Sequence, residues 1–155
     1  MEDKLQWKAS WRIERYITGA IEPYNVTEFE HNCGLHAGIN LLFDLMVGDD
    51  ANHFDNANAE IGVGDDDTAA AGAQLGLQAA VNKEYKGMEA GYPVSGALQR
   101  VDFRSSFGDG EAEYYWKEFC VRNRTGGTNL NRKVDDQGEK RSGQTWLIRL
   151  RIELS

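Results

Sequence analysis

The hydrophobic pattern at the start of the chain predicts a β-strand. Apolar side chains stand at every odd position from Leu5 to Ile13, including Trp7 and Trp11, and polar side chains stand between them. Successive side chains of a strand point to opposite faces, so this period of two is typical of a strand with one buried face. Residues 16–29, which contain a glycine and a proline, predict an extended arm or loop.

A helical period follows the arm. Apolar residues then recur at intervals of three and four, which is the stripe of an amphipathic helix. The stripe consists of Leu35, Ile39, Leu42, Phe43 and Met46. Asn32 is a suitable N-cap and Gly48 a suitable stop, so the pattern predicts a helix at about residues 33–47.

Most of the remaining chain alternates with a period of two again. The pattern predicts strands at residues 59–64, 98–107, 112–122 and 146–154. The strand at 112–122 has aromatic side chains on both faces, so both faces need to be covered. In the last strand, the alternation directs Trp146, Ile148, Leu150, Ile152 and Leu154 to the core. Residues 75–81 fit a weak helical turn or an extended segment equally well.

These elements predict the fold class. At least five strands and one helix in 155 residues favour a mainly β protein. We expect a single antiparallel β-sandwich or barrel-like domain over residues 30–155. Residues 1–29 are expected to form a separate N-terminal strand and arm.

Composition and charge narrow the range of functions. No run of about 18 apolar residues is present, and the first four residues lack the order of a signal peptide, so we expect neither a membrane nor a secreted protein. The formal net charge is −8. The net negative charge is concentrated in the first half of the chain, which would repel a phosphate backbone, so no direct nucleic-acid contact is expected. Cys33 and Cys120 are expected to be free thiols, as in a reducing cytosol.

No constellation of residues predicts catalysis, a cofactor or a metal site. The acidic clusters at 49–55 and 65–67 lack the order of a calcium loop and are interpreted as solvated turns. The three histidines lack zinc spacing. The Gly-Val-Gly sequence at 62–64 does not complete the Gly-x-Gly-x-x-Gly motif of a dinucleotide-binding loop, because Asp67 stands where the third glycine is required. We therefore expect a protein that is not an enzyme.

One longer stretch of the sequence resembles a known group of proteins. Residues 58–65, with the order Asn-Ala-Glu-Ile-Gly-Val-Gly-Asp, resemble a segment of virion proteins of tailed double-stranded DNA bacteriophages. The similarity covers roughly residues 30–155. Its other segments are residues 68–70, 77, 85–88, 91–93, 116–119, 130–132, 140 and 143–146. The resemblance implies a structural role without catalytic residues, and it leaves the position in the particle open.

Within such a particle, the small size, the single compact domain, the aromatic-rich arm and the acidic outer surface favour a capsid decoration (cement) protein on the capsid exterior, made in the host cytoplasm. Its expected partners are the major capsid protein and further copies of itself, with a trimer favoured. Tryptophan-rich clusters dominate interface energetics, so the expected anchor is the strip Leu5, Trp7, Trp11 and Ile13. Deletion of residues 1–15 is accordingly expected to leave a folded domain that no longer attaches.

Further contacts and two alternative roles follow from other residues. Arg149 and Arg151 point away from the core on the last strand, towards solvent or a partner. One alternative role is a tail, neck or fibre-anchoring component of the virion. The second is a glycan-binding module of the tail, in which Tyr114, Tyr115 and Trp116 would stack on sugars.

Overall fold

The computed structural model describes residues 5–155, which form two five-stranded antiparallel sheets and one helix. The elements are β1 (Trp7–Ile17), β2 (Asn25–Glu30), β3 (Cys33–Gly34), α1 (His36–Val47), β4 (Ala59–Gly64), β5 (Lys83–Gly87), β6 (Val94–Ser95), β7 (Arg100–Phe107), β8 (Glu118–Asn123), β9 (Asn131–Val134) and β10 (Gln144–Leu154). Sheet 1 has the strand order β2-β1-β10-β7-β6, and sheet 2 has the order β3-β9-β8-β4-β5. Each sheet keeps two edge strands, so the predicted mainly β fold is confirmed as an open sandwich.

The N-terminal strand is part of the core domain. β1 pairs with β10 over its whole length, from Trp7 opposite Leu154 to Ile17 opposite Gln144. On its other side it pairs with β2. The division into an arm at 1–29 and a domain at 30–155 is therefore not what the structure shows, because β1 is an interior strand of sheet 1.

The core lies between the two sheets and contains most of the aromatic residues. The alternation predicted for β1 and β10 is confirmed at Trp11, Ile13, Ile148 and Leu150, which are all buried, whereas Leu154, predicted to face the core, is 42% exposed. Sheet 2 contributes Ile61, Val63, Phe119 and Val121. In the centre, the rings of Trp116 and Trp146 meet edge to face with centroids 4.8 Å apart. Such pairs add to the free energy that burial alone supplies.

The helix begins three residues later than predicted. Cys33 and Gly34 pair with Arg132 and Asn131 as the edge strand β3, so Asn32 is not the N-cap. The predicted end is confirmed, since Gly48 has a left-handed φ of 82°. The helix approaches the sheet closely at Gly38, where an added Cβ would lie 2.4 Å from the Asn129 carbonyl oxygen.

Two of the predicted strands are shorter than expected. Leu98 and Gln99 have left-handed φ angles of 55° and 51°, so a turn precedes β7. The strand predicted at 112–122 is wrong in its first half. The backbone turns at Ala112 (φ 48°), whose carbonyl oxygen accepts a hydrogen bond of 3.0 Å from the Trp116 indole, and β8 starts only at Glu118.

A buried ion pair fixes the irregular segment between β4 and β5, residues 65–82. The Glu118 carboxylate and the Arg132 guanidinium are both fully buried and lie 2.8 Å apart. The carboxylate also accepts hydrogen bonds from the backbone N–H groups of Gln78 and Ala79, each at 2.8 Å. Arg132 donates to the Thr68 carbonyl oxygen at 2.7 Å. Arg132 thus holds the first half of this segment, and Glu118 holds the second half.

Candidate interaction surfaces

The predicted anchor strip on β1 is divided between the core and the surface. Trp11 and Ile13 are 1% and 0% exposed and pack inside the sandwich, so they are not available to a partner in this fold. Leu5 is 73% exposed, and Trp7 is half-buried. The prediction of one continuous four-residue interface strip is therefore corrected, because the period of two reports burial by the chain's own second sheet.

The outer face of sheet 1 carries a row of three arginines. Arg149 on β10 lies directly opposite Arg12 on β1 and directly opposite Arg104 on β7. Side chains that face each other across antiparallel strands have Cβ atoms about 4.5–5.5 Å apart, and like charges in these positions are destabilising. The row therefore needs acidic partners.

The two outer arginines of the row have such partners within the chain. Arg12 forms ion pairs with Glu28 at 2.7 Å and with Glu14 at 3.2 Å. Arg104 pairs with Glu89 at 2.8 Å. These acidic groups compensate the two ends of the row but not its centre.

Arg151, on the same face, forms a bidentate ion pair with Asp102. Its Nε and Nη2 atoms donate to the two Asp102 oxygens at 2.7 and 2.8 Å. This hydrogen bonding lowers the pKa of Asp102 and raises the pKa of Arg151. Both groups are therefore charged at neutral pH and satisfy each other. Arg151, predicted to face solvent or a partner, is occupied by its own chain.

Arg149 has no such partner within residues 5–155. It forms neither an ion pair nor a side-chain hydrogen bond with these residues, and its Nε atom is buried without an acceptor. The neighbouring acids, Glu14 and Asp102, are engaged by Arg12 and Arg151. Arg149 is thus a half-buried cation in the middle of the outer face of sheet 1, with the donor geometry that suits a carboxylate or another oxyanion.

An apolar cleft opens at the end of the sandwich where β1 begins and β10 ends. Its volume is about 870 Å³. The walls include Trp7, Leu42, Phe54, Phe103, Leu130 and Ile152. Leu5 and Leu154 line it while remaining 73% and 42% exposed. Sequence reasoning found only the β1 residues of this cleft, because its other walls come from segments far apart in the chain.

The aromatic platform predicted for sugar binding is not present. Trp116 is fully buried in the core. The Tyr114 hydroxyl donates to the Val63 carbonyl oxygen at 3.1 Å, and burial raises its pKa. Only Tyr115, at 48% exposure, offers a ring to solvent. A single ring does not make a stacking surface for a glycan.

The thiols and the acidic clusters form no reactive centre in the described part of the chain. Cys33 and Cys120 are both free, as predicted. Cys120 is fully buried, and desolvation raises its pKa, so the thiol stays protonated. Among residues 5–155, no group of three or more His, Cys, Asp and Glu side chains is placed to hold a metal ion. None of the described helices has the length and apolar character needed to cross a membrane.

Comparisons with known proteins supply no relative. No family model, no curated protein and no solved structure matches the chain. The similarity to phage virion proteins therefore remains a prediction from the sequence.

Proposed function

We propose that this protein is a structural component of a phage virion, namely a capsid decoration protein that binds the major capsid protein on the capsid exterior. The resemblance of residues 30–155 supports the virion context. The observation that carries the binding role is Arg149, a half-buried guanidinium without an acidic partner in residues 5–155. Its neighbours in the arginine row, Arg12 and Arg104, are both paired with acidic side chains.

The outer face of sheet 1 suits attachment to an acidic surface. A carboxylate of the capsid protein placed on Arg149 would receive two parallel N–H donors, and it would relieve the repulsion in the row with Arg12 and Arg104. Many copies acting together would then hold neighbouring capsid subunits against internal pressure.

The stoichiometry of this chain in purified phage particles tests the proposal. Its amount relative to the major capsid protein is measured by quantitative mass spectrometry. A copy number comparable with that of the capsomers supports decoration of the head. A few copies per particle would contradict decoration of the head and support the tail, neck or fibre-anchoring role. Absence of the chain from the particles would refute a virion role.

A substitution tests the contact itself. Particles stripped of this protein are mixed with wild-type protein or with the Arg149→Glu variant, and binding is measured by co-sedimentation. Arg149→Glu is expected to lose binding, because the substitution repels a carboxylate. Arg141→Glu is the matched control, since Arg141 is 71% exposed in a loop outside the sheets. Unchanged binding by Arg149→Glu would assign the contact to another surface.

A further inference from the structure

The hairpin that joins β1 to β2 exposes apolar side chains at the end of sheet 1 opposite the cleft. We define the hairpin tip as residues 17–24. Within it, Ile17 is 57%, Ile21 is 91% and Tyr24 is 50% exposed. The backbone of the tip is nevertheless ordered by hydrogen bonds, from Thr18 N to the Gly143 oxygen at 2.9 Å and from Tyr24 N to the Arg15 oxygen at 2.8 Å. The hairpin tip therefore presents exposed apolar side chains on an ordered backbone.

The cleft and the hairpin tip lie at opposite ends of one strand. Trp7, which lines the cleft, is the first residue of β1, and Ile17 is the last. Ten residue steps of about 3.3 Å along this eleven-residue strand separate them by about 33 Å. A molecule therefore cannot place its own tip in its own cleft. Two complementary surfaces at opposite ends of a rigid element are the geometry of head-to-tail association.

The charges beside the two surfaces are also complementary. Glu22 is exposed next to Ile21 and makes no ion pair with another described residue. Arg100 lines the cleft, and it too is without an ion pair in the described part of the chain. In a head-to-tail contact, an acidic residue of the tip would meet an arginine at the edge of the cleft. This pair would set the orientation of the apolar contact.

We propose that a second copy of this chain occupies the cleft, with the hairpin tip inserted and Ile21 as the anchor. Ile21 would then exchange its exposed position for contacts with Trp7 and Phe103 of the neighbour. Each molecule has one tip and one cleft, so the contact repeats and forms a closed ring or an open chain of copies. The inference does not depend on the virion assignment or on Arg149, which lies on the sheet face away from both ends.

Two complementary variants test the proposal by sedimentation velocity over a range of protein concentrations. Ile21→Asp disables the tip, and Leu5→Asp disables the cleft. Both side chains are exposed in the monomer, so both variants are expected to fold. The wild type is expected to associate, whereas each variant alone stays at the monomer mass of 17.4 kDa. Val81→Asp is the control, since Val81 is 85% exposed in the segment between β4 and β5 and lies outside both surfaces, and it is expected to behave as the wild type.

The decisive measurement is an equimolar mixture of the two variants. Each retains one working surface, so the mixture is expected to form a dimer and no larger species. Ala97→Arg, which fills the cleft by bulk at another lining position, serves as a second cleft variant and is expected to give the same result. A monomeric wild type at all concentrations would refute the proposal, as would association that survives in either single variant.

Discussion

Glu118 and Arg132 illustrate how single residues stabilise this fold. Both charges are fully buried, and each is surrounded by hydrogen-bond partners from the irregular segment at 65–82. Removing one partner of a buried pair leaves the other charge uncompensated. The pair is therefore more sensitive to substitution than an ion pair at the surface.

We predict that Glu118→Gln lowers the free energy of unfolding by about 3–5 kcal/mol. The amide keeps the shape of the side chain, but it removes the charge that Arg132 requires. Urea denaturation followed by tryptophan fluorescence measures the change. The control is Arg141→Gln, at an exposed pair, which is expected to stay within about 0.5 kcal/mol of the wild type. A small effect from Glu118→Gln would mean that the segment at 65–82 is held by other contacts.

We predict that alanine substitutions at two neighbouring residues of β10 lower the unfolding free energy by very different amounts. Leu150→Ala is expected to cost about 2–5 kcal/mol of unfolding free energy, because Leu150 is completely buried between the sheets. Arg151→Ala is expected to cost about 1 kcal/mol, since its ion pair with Asp102 is partly exposed. Thermal and urea denaturation of the two variants provide the comparison. Similar losses from both would contradict the assignment of the two faces.

The lowered pKa of Asp102 predicts a pH dependence of stability. The hydrogen bonds from Arg151 favour the charged carboxylate in the folded state, so the group stabilises the fold above its unfolded pKa, near the ordinary value of 3.8. This contribution is lost as the pH falls through the lowered folded pKa. Asp102→Asn is therefore expected to be less stable than the wild type at neutral pH, and the difference is expected to shrink below about pH 4. A difference that stays constant between pH 7 and pH 3 would contradict it.

The sequence predicts which residues are buried more reliably than what buries them. The alternation of Trp7, Trp11 and Ile13 indicates an apolar face, and a partner protein or the chain's own second sheet satisfies that pattern equally well. The structure decides for the second sheet in the case of Trp11 and Ile13. The burial of Arg132 cannot be predicted for the same reason. Nothing in the local pattern distinguishes a buried arginine with a distant acidic partner from an exposed one.

At the scale of elements, long regular patterns are predicted well and short irregular ones are not. The alternation predicts the start of β10 within two residues, because it covers nine positions. α1 starts later than expected, since Cys33 and Gly34 pair with β9, which no local signal reveals. For the loop at 112–117 the pattern wrongly predicts a strand, because Tyr114, Tyr115 and Trp116 favour strands. In the structure, the hydrogen bond of the Trp116 indole decides the backbone path.

Glycine at position 38 allows the helix to dock on sheet 2. A methyl group there would lie 2.4 Å from both the Asn129 oxygen and the Leu130 Cα, which are backbone atoms that cannot move aside easily. We predict that Gly38→Ala destabilises the protein by about 1–3 kcal/mol despite the better helix propensity of alanine, as for overpacked sites. Gly87→Ala, where an added methyl meets nothing within 4 Å, is the matched control and is expected to be nearly neutral. Equal stability of the two variants would show that α1 can shift on the sheet.

At the scale of the whole molecule, the deletion of residues 1–15 is now expected to abolish folding. It removes the strand that joins β2 to β10 and takes Trp11 and Ile13 out of the core. Circular dichroism and proteolysis of the truncated chain measure this outcome. If the truncated chain still folds, the prediction is wrong, and residues 1–29 form an arm separate from the domain. Exchange of only Leu5, by contrast, is expected to leave the fold intact and to affect the cleft.

The pairing of β1 with β10 also means that sheet 1 cannot be completed before β10 has been made. β1 leaves the ribosome early, but its partner is made only after all the other strands, with a delay on the order of ten seconds at ~5–20 residues per second. During this interval β1 has no β10 beside it, although the strands of sheet 2 have already been made. Contacts between distant segments slow folding, so acquisition of the native state is coupled to synthesis of β10. A ribosome that stalls before β10 would release a chain that proteases can degrade.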